Sequence, residues 1–169
     1  MGSLNARNLT LMALITSCFL QVGGGLFAIL VVVNTIIEAP PRSFAILEGA
    51  YRYDSSAFWE TLPPITAILF VIALIANWKT TRRMFVVAAF ALFILGGLLA
   101  GFFSEPEFAR ITEAGYRDMV DPELQSRARS WYALDWAVWS VTLTAGLTLL
   151  LALANPVSPH TKHQGGSTG

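Results

Sequence analysis

Lys79-Thr80-Thr81-Arg82-Arg83 followed by MFVVAAFALFILGGLLAGFFS, residues 84–104, decides the fold class. The apolar run is 21 residues without a formal charge. A helix of roughly 20 residues, rising about 1.5 Å per residue, crosses a hydrocarbon core about 30 Å thick. Backbone in lipid must satisfy its own hydrogen bonds, so such a segment is a helix. The cations before it cannot enter the hydrocarbon and hold its start at one membrane face. Working outward, three more charge-free runs occur: residues 9–37, 61–78 and 136–154, of 29, 18 and 19 residues. With 54% hydrophobic and only 13% charged residues, the chain departs from the quarter or so of charged residues usual in soluble domains. These features predict an all-α integral membrane protein, a four-helix transmembrane bundle. Its single domain covers residues 1–155, with spans at about 9–37, 61–78, 84–104 and 131–154, and residues 156–169 are expected to form a disordered polar tail. The first run is about twice the length of a signal-peptide core, so a retained helix is expected.

The charges are sided. All 11 acidic residues lie in or beside the connections after the first and third spans, together with 6 basic residues. The start of the chain, the link at 79–83 and the tail hold Arg7, Lys79, Arg82, Arg83 and Lys162 and no acid. The dense cation cluster places that link, and both termini, on the cytoplasmic side.

The two acid-bearing connections share a pattern. Phe44-Ala45, Glu48, Tyr51-Arg52 and Asp54 recur in order as Phe108-Ala109, Glu113, Tyr116-Arg117 and Asp118, preceded by Glu38 and Pro40 in one case and Glu105 and Pro106 in the other. This predicts two helical hairpins related by an internal parallel repeat, with Arg52 and Arg117 in corresponding places. A short helix is expected in each outer connection, begun at Pro41 and at Pro106. Asp121-Pro122-Glu123 reads as an N-cap, a first-turn proline and a favourable acid, so the fourth helix starts well outside the membrane. Gly23-Gly24-Gly25 permits close packing or a bend in the first span, and Gly97 and Gly101 form a GxxxG suited to a helix partner.

Asn34, Glu38, Glu60 and Asp135 sit just inside the outer boundary, where a carboxylate is costly unless it faces the bundle or a wet cavity. The expectation is an outward-opening polar pocket, with Asn34 and Glu60 at the depth of Asp135. Arg127, Trp131, Asp135 and Trp139 recur every fourth residue and share one helix face, with Trp136 beside it. Trp131 suits an interface anchor, and Trp139, about 12 Å deeper, suits a pocket wall. Both histidines are in the tail and Cys18 is the lone cysteine, so no metal site and no cofactor is expected, and nothing points to nucleic acid. The partners expected are the lipid bilayer, an apolar small molecule and a membrane protein meeting Gly97 and Gly101.

Phe102-Phe103-Ser104-Glu105-Pro106-Glu107, followed by DPELQSRARSWYALDW over residues 121–136, resembles the small four-helix bacterial membrane proteins of the anthrone-oxygenase-like superfamily. That family tends to carry Trp, three residues, Asn, and an Arg three positions later; here Trp131 matches, while Asp135 and Val138 stand in place of the other two. The resemblance implies a bacterial inner-membrane location and, for an active member, cofactor-free oxygenation of a lipophilic polycyclic phenol with Asp135 or Glu60 as base. The substitutions favour a different role, a binding or accessory subunit. A scaffold in a larger membrane complex is the third reading.

Overall fold

The computed structural model describes residues 5–155, so the tail expected to be disordered lies outside the described residues. Four helices are each long and apolar enough to cross a membrane: α1 (Ala6–Glu38), α2 (Ser56–Asn77), α3 (Arg83–Thr112) and α4 (Pro122–Ala154). No strand forms among the described residues beyond a one-residue bridge between Pro41 and Val120. The fold is an all-α bundle, and the chain is a multi-pass membrane protein by the length and hydropathy of its helices.

Helix ends follow from their capping residues. The Asn5 side chain accepts from Arg7 N–H at the start of α1. Asp121 accepts from the Glu123 and Leu124 amides and Pro122 takes the first turn, where its missing N–H costs nothing. Helix α4 is 33 residues long, about 50 Å at 1.5 Å per residue, and therefore extends beyond the hydrocarbon.

The outer connections meet the expectation of a short helix in one case and depart from it in the other. The first contains a 3-10 helix, Arg42–Leu47. The second has no separate helix, because Glu105–Thr112 continues α3 through a π-helical segment, Ala100–Ser104. The Glu105 N–H reaches the Ala100 carbonyl five residues back, so the ladder continues past Pro106. Helix α1 holds a similar segment, Ala28–Val33, with the Asn34 N–H bonded to the Ile29 carbonyl. Each insertion lies near the outer end of its span.

Helix α4 packs along both α1 and α3, and α2 packs on α1, while α2 and α3 touch more sparsely. Two apolar clusters form the core. One lies toward the acid-free end and includes Leu11, Leu14, Phe70, Val86 and Leu149. The other lies under the outer connections and includes Val33, Ile36, Phe44, Ile111 and Trp131. Between them the helices come together through glycine: a Cβ on Gly24 would sit 2.6 Å from the Phe58 ring, and one on Gly25 3.1 Å from Trp139. Of the glycines in α3, Gly96 is the one packed on α4, beside Thr142; Gly97 and Gly101 face open space.

Polar ties close both ends. At the end formed by the acid-bearing connections, Tyr116 N–H donates to Glu48 at 2.7 Å, Asp121 N–H to the Pro40 carbonyl at 2.9 Å, and Arg42 pairs with Asp118 at 3.5 Å. At the other end, buried Arg82 donates to Asn8 Oδ1 at 2.6 Å and to the carbonyls of Asn155 and Leu153 at 2.8 and 3.2 Å. It joins the start of α1, the α2–α3 link and the end of α4, where a cation also suits the helix dipole.

Candidate functional site

The gap between the two core clusters holds a cavity of about 460 Å³, lined by residues of all four helices. Its walls are aromatic and small: Trp59 from α2, Phe93, Gly97, Gly101 and Phe108 from α3, Gly25 and Ala28 from α1, Trp131 and Trp139 from α4. A second cavity of about 320 Å³ opens toward the outer connections and shares Ala28, Trp59, Phe108, Trp131 and Asp135 with the first. Asp135 therefore stands at the junction of the two.

A short relay orients that carboxyl group. The Ser104 hydroxyl is 3.0 Å from Asp135 Oδ1, and Trp131 Nε1–H donates to the same hydroxyl at 2.9 Å and to the Ser104 carbonyl at 3.1 Å. An indole N–H can only donate, so the hydroxyl accepts from Trp131 and is free to give its proton to Asp135. Trp131 is 6% exposed and stacks on Phe108 at 4.9 Å between centroids. Trp139 Nε1–H donates to the Val22 carbonyl at 2.9 Å, which fixes this wall against α1. The arrangement offers one acceptor on a rigid aromatic frame. Both π-helical segments border it, through Ala28 and Ile29 in one and Ala100, Gly101 and Ser104 in the other. Such insertions are frequent at functional sites because they re-aim side chains.

Of the residues singled out in the sequence, the structure brings Asp135, Trp131 and Trp139 to one cavity. Trp136 stands beside it, edge-on to Trp139 at 5.4 Å and to Tyr132 at 6.2 Å. Asn34, Glu38 and Glu60 are exposed and line neither cavity. Asn34 instead donates to the Leu30 carbonyl at 3.0 Å. The expected convergence of Asn34 and Glu60 on Asp135 is thus corrected. For Asn34 the reason is the extra residue of the π segment just before it, which turns the following side chains by about 100° relative to a regular helix. Arg52 is exposed and 3.8 Å from Asp54, and Arg117 is exposed on the second connection; neither meets Asp135. Arg127 forms a two-pronged pair with Glu107 rather than descending to Asp135.

Ser104 and the polar floor of the cavity emerge only in the structure. Gln21, which lines it, donates to Thr66 Oγ1 at 2.6 Å, and Ser17 bonds the same oxygen at 2.6 Å. All three are buried. The signal was available: Ser17 and Gln21 are four apart on an apolar span and so share a face. Among the described residues no cluster of His, Cys, Asp and Glu could hold a metal ion.

Comparison with family models, curated proteins and solved structures yields no match. Fold and site together define a class: a four-helix membrane protein with an aromatic cavity around one hydrogen-bonded carboxyl group.

Proposed function

We propose that this chain is a membrane-embedded binding protein, or the binding subunit of a larger assembly, for a flat and mostly apolar small molecule with one hydrogen-bond donor. The observation that carries this reading is Asp135, held by Ser104 at the junction of two cavities walled by Trp59, Phe108 and Trp131. The larger volume lies in the range of small-ligand pockets, which bury an apolar body and orient it by a few polar groups. The sparse α2–α3 contact beside Gly97 and Gly101 favours entry from the bilayer. The test is a titration of the nanodisc-reconstituted protein with 1-naphthol and with an anthrone, read by tryptophan fluorescence. Saturable quenching that weakens about ten-fold in Asp135→Leu is expected, since a hydrogen bond to a charged group is worth about 1.5–3 kcal/mol. Quenching that is linear in ligand, or equal in both proteins, overturns the reading.

A second reading, cofactor-free oxygenation, is favoured by a carboxylate able to act as base inside an apolar cavity and by the resemblance in residues 102–107 and 121–136. Asp135 takes a proton from an activated ring CH₂; the carbanion adds O₂, and loss of water leaves a ring carbonyl. Oxygen uptake with an anthrone, abolished in Asp135→Asn, distinguishes catalysis from binding. The third reading, a scaffold, rests on the exposed Gly97 and Gly101 as a contact for a partner helix.

The proposed setting is a bacterial inner membrane with both termini cytoplasmic, on the strength of the cations at 79–83. Duplication of a helical hairpin is supported by two features beyond the repeated residues. A π segment lies in the first and the third span, and a positive-φ glycine follows each Phe-Ala, Gly49 at 82° and Gly115 at 62°.

A further inference from the structure

A groove of about 530 Å³ opens at the acid-free end of the bundle, away from Asp135. Arg7 of α1 and Lys79 of the α2–α3 link flank it, and its wall is the face of α2 formed by Val71, Leu74, Ile75 and Trp78. Val71 and Ile75 are exposed, 49% and 74%, as is Trp78. Lys79 is eight positions beyond Val71, about 12 Å along a helix, so a charged rim stands above an apolar trough of about that depth. Arg83 lies over the Trp78 ring at 5.3 Å and steadies the rim while adding a third positive charge.

What sets this groove apart is its uncompensated charge. The acids nearest in sequence are Glu60 on one side and Glu105 on the other, each at the opposite end of its helix. Among the described residues Arg7, Lys79 and Arg83 form no ion pair with an acid and have none on their end of the bundle, whereas four of the six arginines at the other end, Arg42, Arg52, Arg110 and Arg127, are paired. Arg82 is buried and spends its donors on Asn8 and two carbonyls, so it builds the end of the bundle rather than the rim.

We infer that this groove is a binding site for an anionic phospholipid, its phosphate between Arg7 and Lys79 and one acyl chain along Val71, Leu74 and Ile75. Charge complementarity selects the headgroup and the apolar wall selects a lipid over a free anion. The site is independent of the Asp135 cavity and does not rest on the function proposed for it. Each basic residue at a membrane surface contributes about 1 kcal/mol toward an anionic lipid, which converts to about five-fold in affinity.

The full chain, purified in detergent and supplied with equimolar phosphatidylglycerol and phosphatidylcholine, is read by native mass spectrometry for retained lipid. Wild type is expected to retain phosphatidylglycerol preferentially. Arg7→Gln and Lys79→Gln are each expected to lower that retention about five-fold, and Arg52→Gln with Arg117→Gln at the other end is expected to leave it unchanged. Lys79 is exposed and Arg7 half-buried, and an unchanged melting temperature confirms that the variants fold. Equal retention of the two lipids overturns the inference, as does wild-type retention in the Arg7→Gln, Lys79→Gln double variant. Displacement of phosphatidylglycerol by millimolar inorganic phosphate also overturns it, because the site would then recognise a free anion rather than a lipid.

Discussion

Asp135 and Ser104 depend on each other. Ser104 is 5% exposed, and its hydroxyl joins a donor it must accept from, Trp131, to an acceptor it can donate to. Asp135→Asn keeps an oxygen in place for that hydroxyl, so the fold should survive with little change in melting temperature. Asp135→Leu leaves a buried hydroxyl without its acceptor and should cost on the order of 1–3 kcal/mol. Thermal unfolding of the two detergent-purified variants decides the matter. If Asp135→Leu melts with or above wild type, the carboxyl group contributes nothing to the bundle and the relay is not a structural unit. The placement of Asp135 on a cavity wall could be read from an acid four residues below a tryptophan on a span. Its partner could not, because nothing local distinguishes Ser104 from an ordinary helical serine.

At the scale of elements, the helices are held by a few specific ties at their ends and by close glycine contacts in the middle. Arg82 is the strongest tie, with three hydrogen bonds that span the α1 start, the α2–α3 link and the α4 end. Arg82→Met keeps the apolar stem and removes all three, so a loss on the order of 3 kcal/mol is expected, read as a lower midpoint in unfolding by a denaturing detergent. Lys79→Met, on the exposed side of the same link, should move that midpoint by no more than about 0.5 kcal/mol. Equal effects of the two substitutions would show that the link is held by its charge rather than by the Arg82 geometry. The π segments belong to this scale too. They displace Asn34 from the cavity wall and carry Ser104 onto it, and neither shift follows from a periodicity that assumes 3.6 residues per turn.

For the whole molecule, the outstanding property is its orientation in the bilayer. Single cysteines at Ser3, Ser55 and Ser126, in a background where Cys18 is replaced by Ala, report it through an impermeant thiol reagent applied to intact cells. Labelling is expected at Ser55 and Ser126 and absent at Ser3. The reverse pattern would invert the molecule, placing the Asp135 cavity's outer mouth on the cytoplasmic side.

Four spans, the all-α class and the sidedness of charge were determined by the sequence alone, because each depends on the transfer free energy of a continuous segment and needs no knowledge of its neighbours. The N-cap at Asp121 and the length of α4 were equally local and equally legible. Only the tertiary structure decided which polar groups meet. Asn34, Glu60 and Asp135 lie at similar depth by count, yet only Asp135 faces the cavity, because facing depends on helix rotation and on a π turn that adds a residue without any marked change in composition. The same holds for Ser17, Gln21 and Thr66, and for Arg82 with Asn8 and Asn155. Their partners are 45 or more residues away in sequence, and only packing brings them within hydrogen-bond reach.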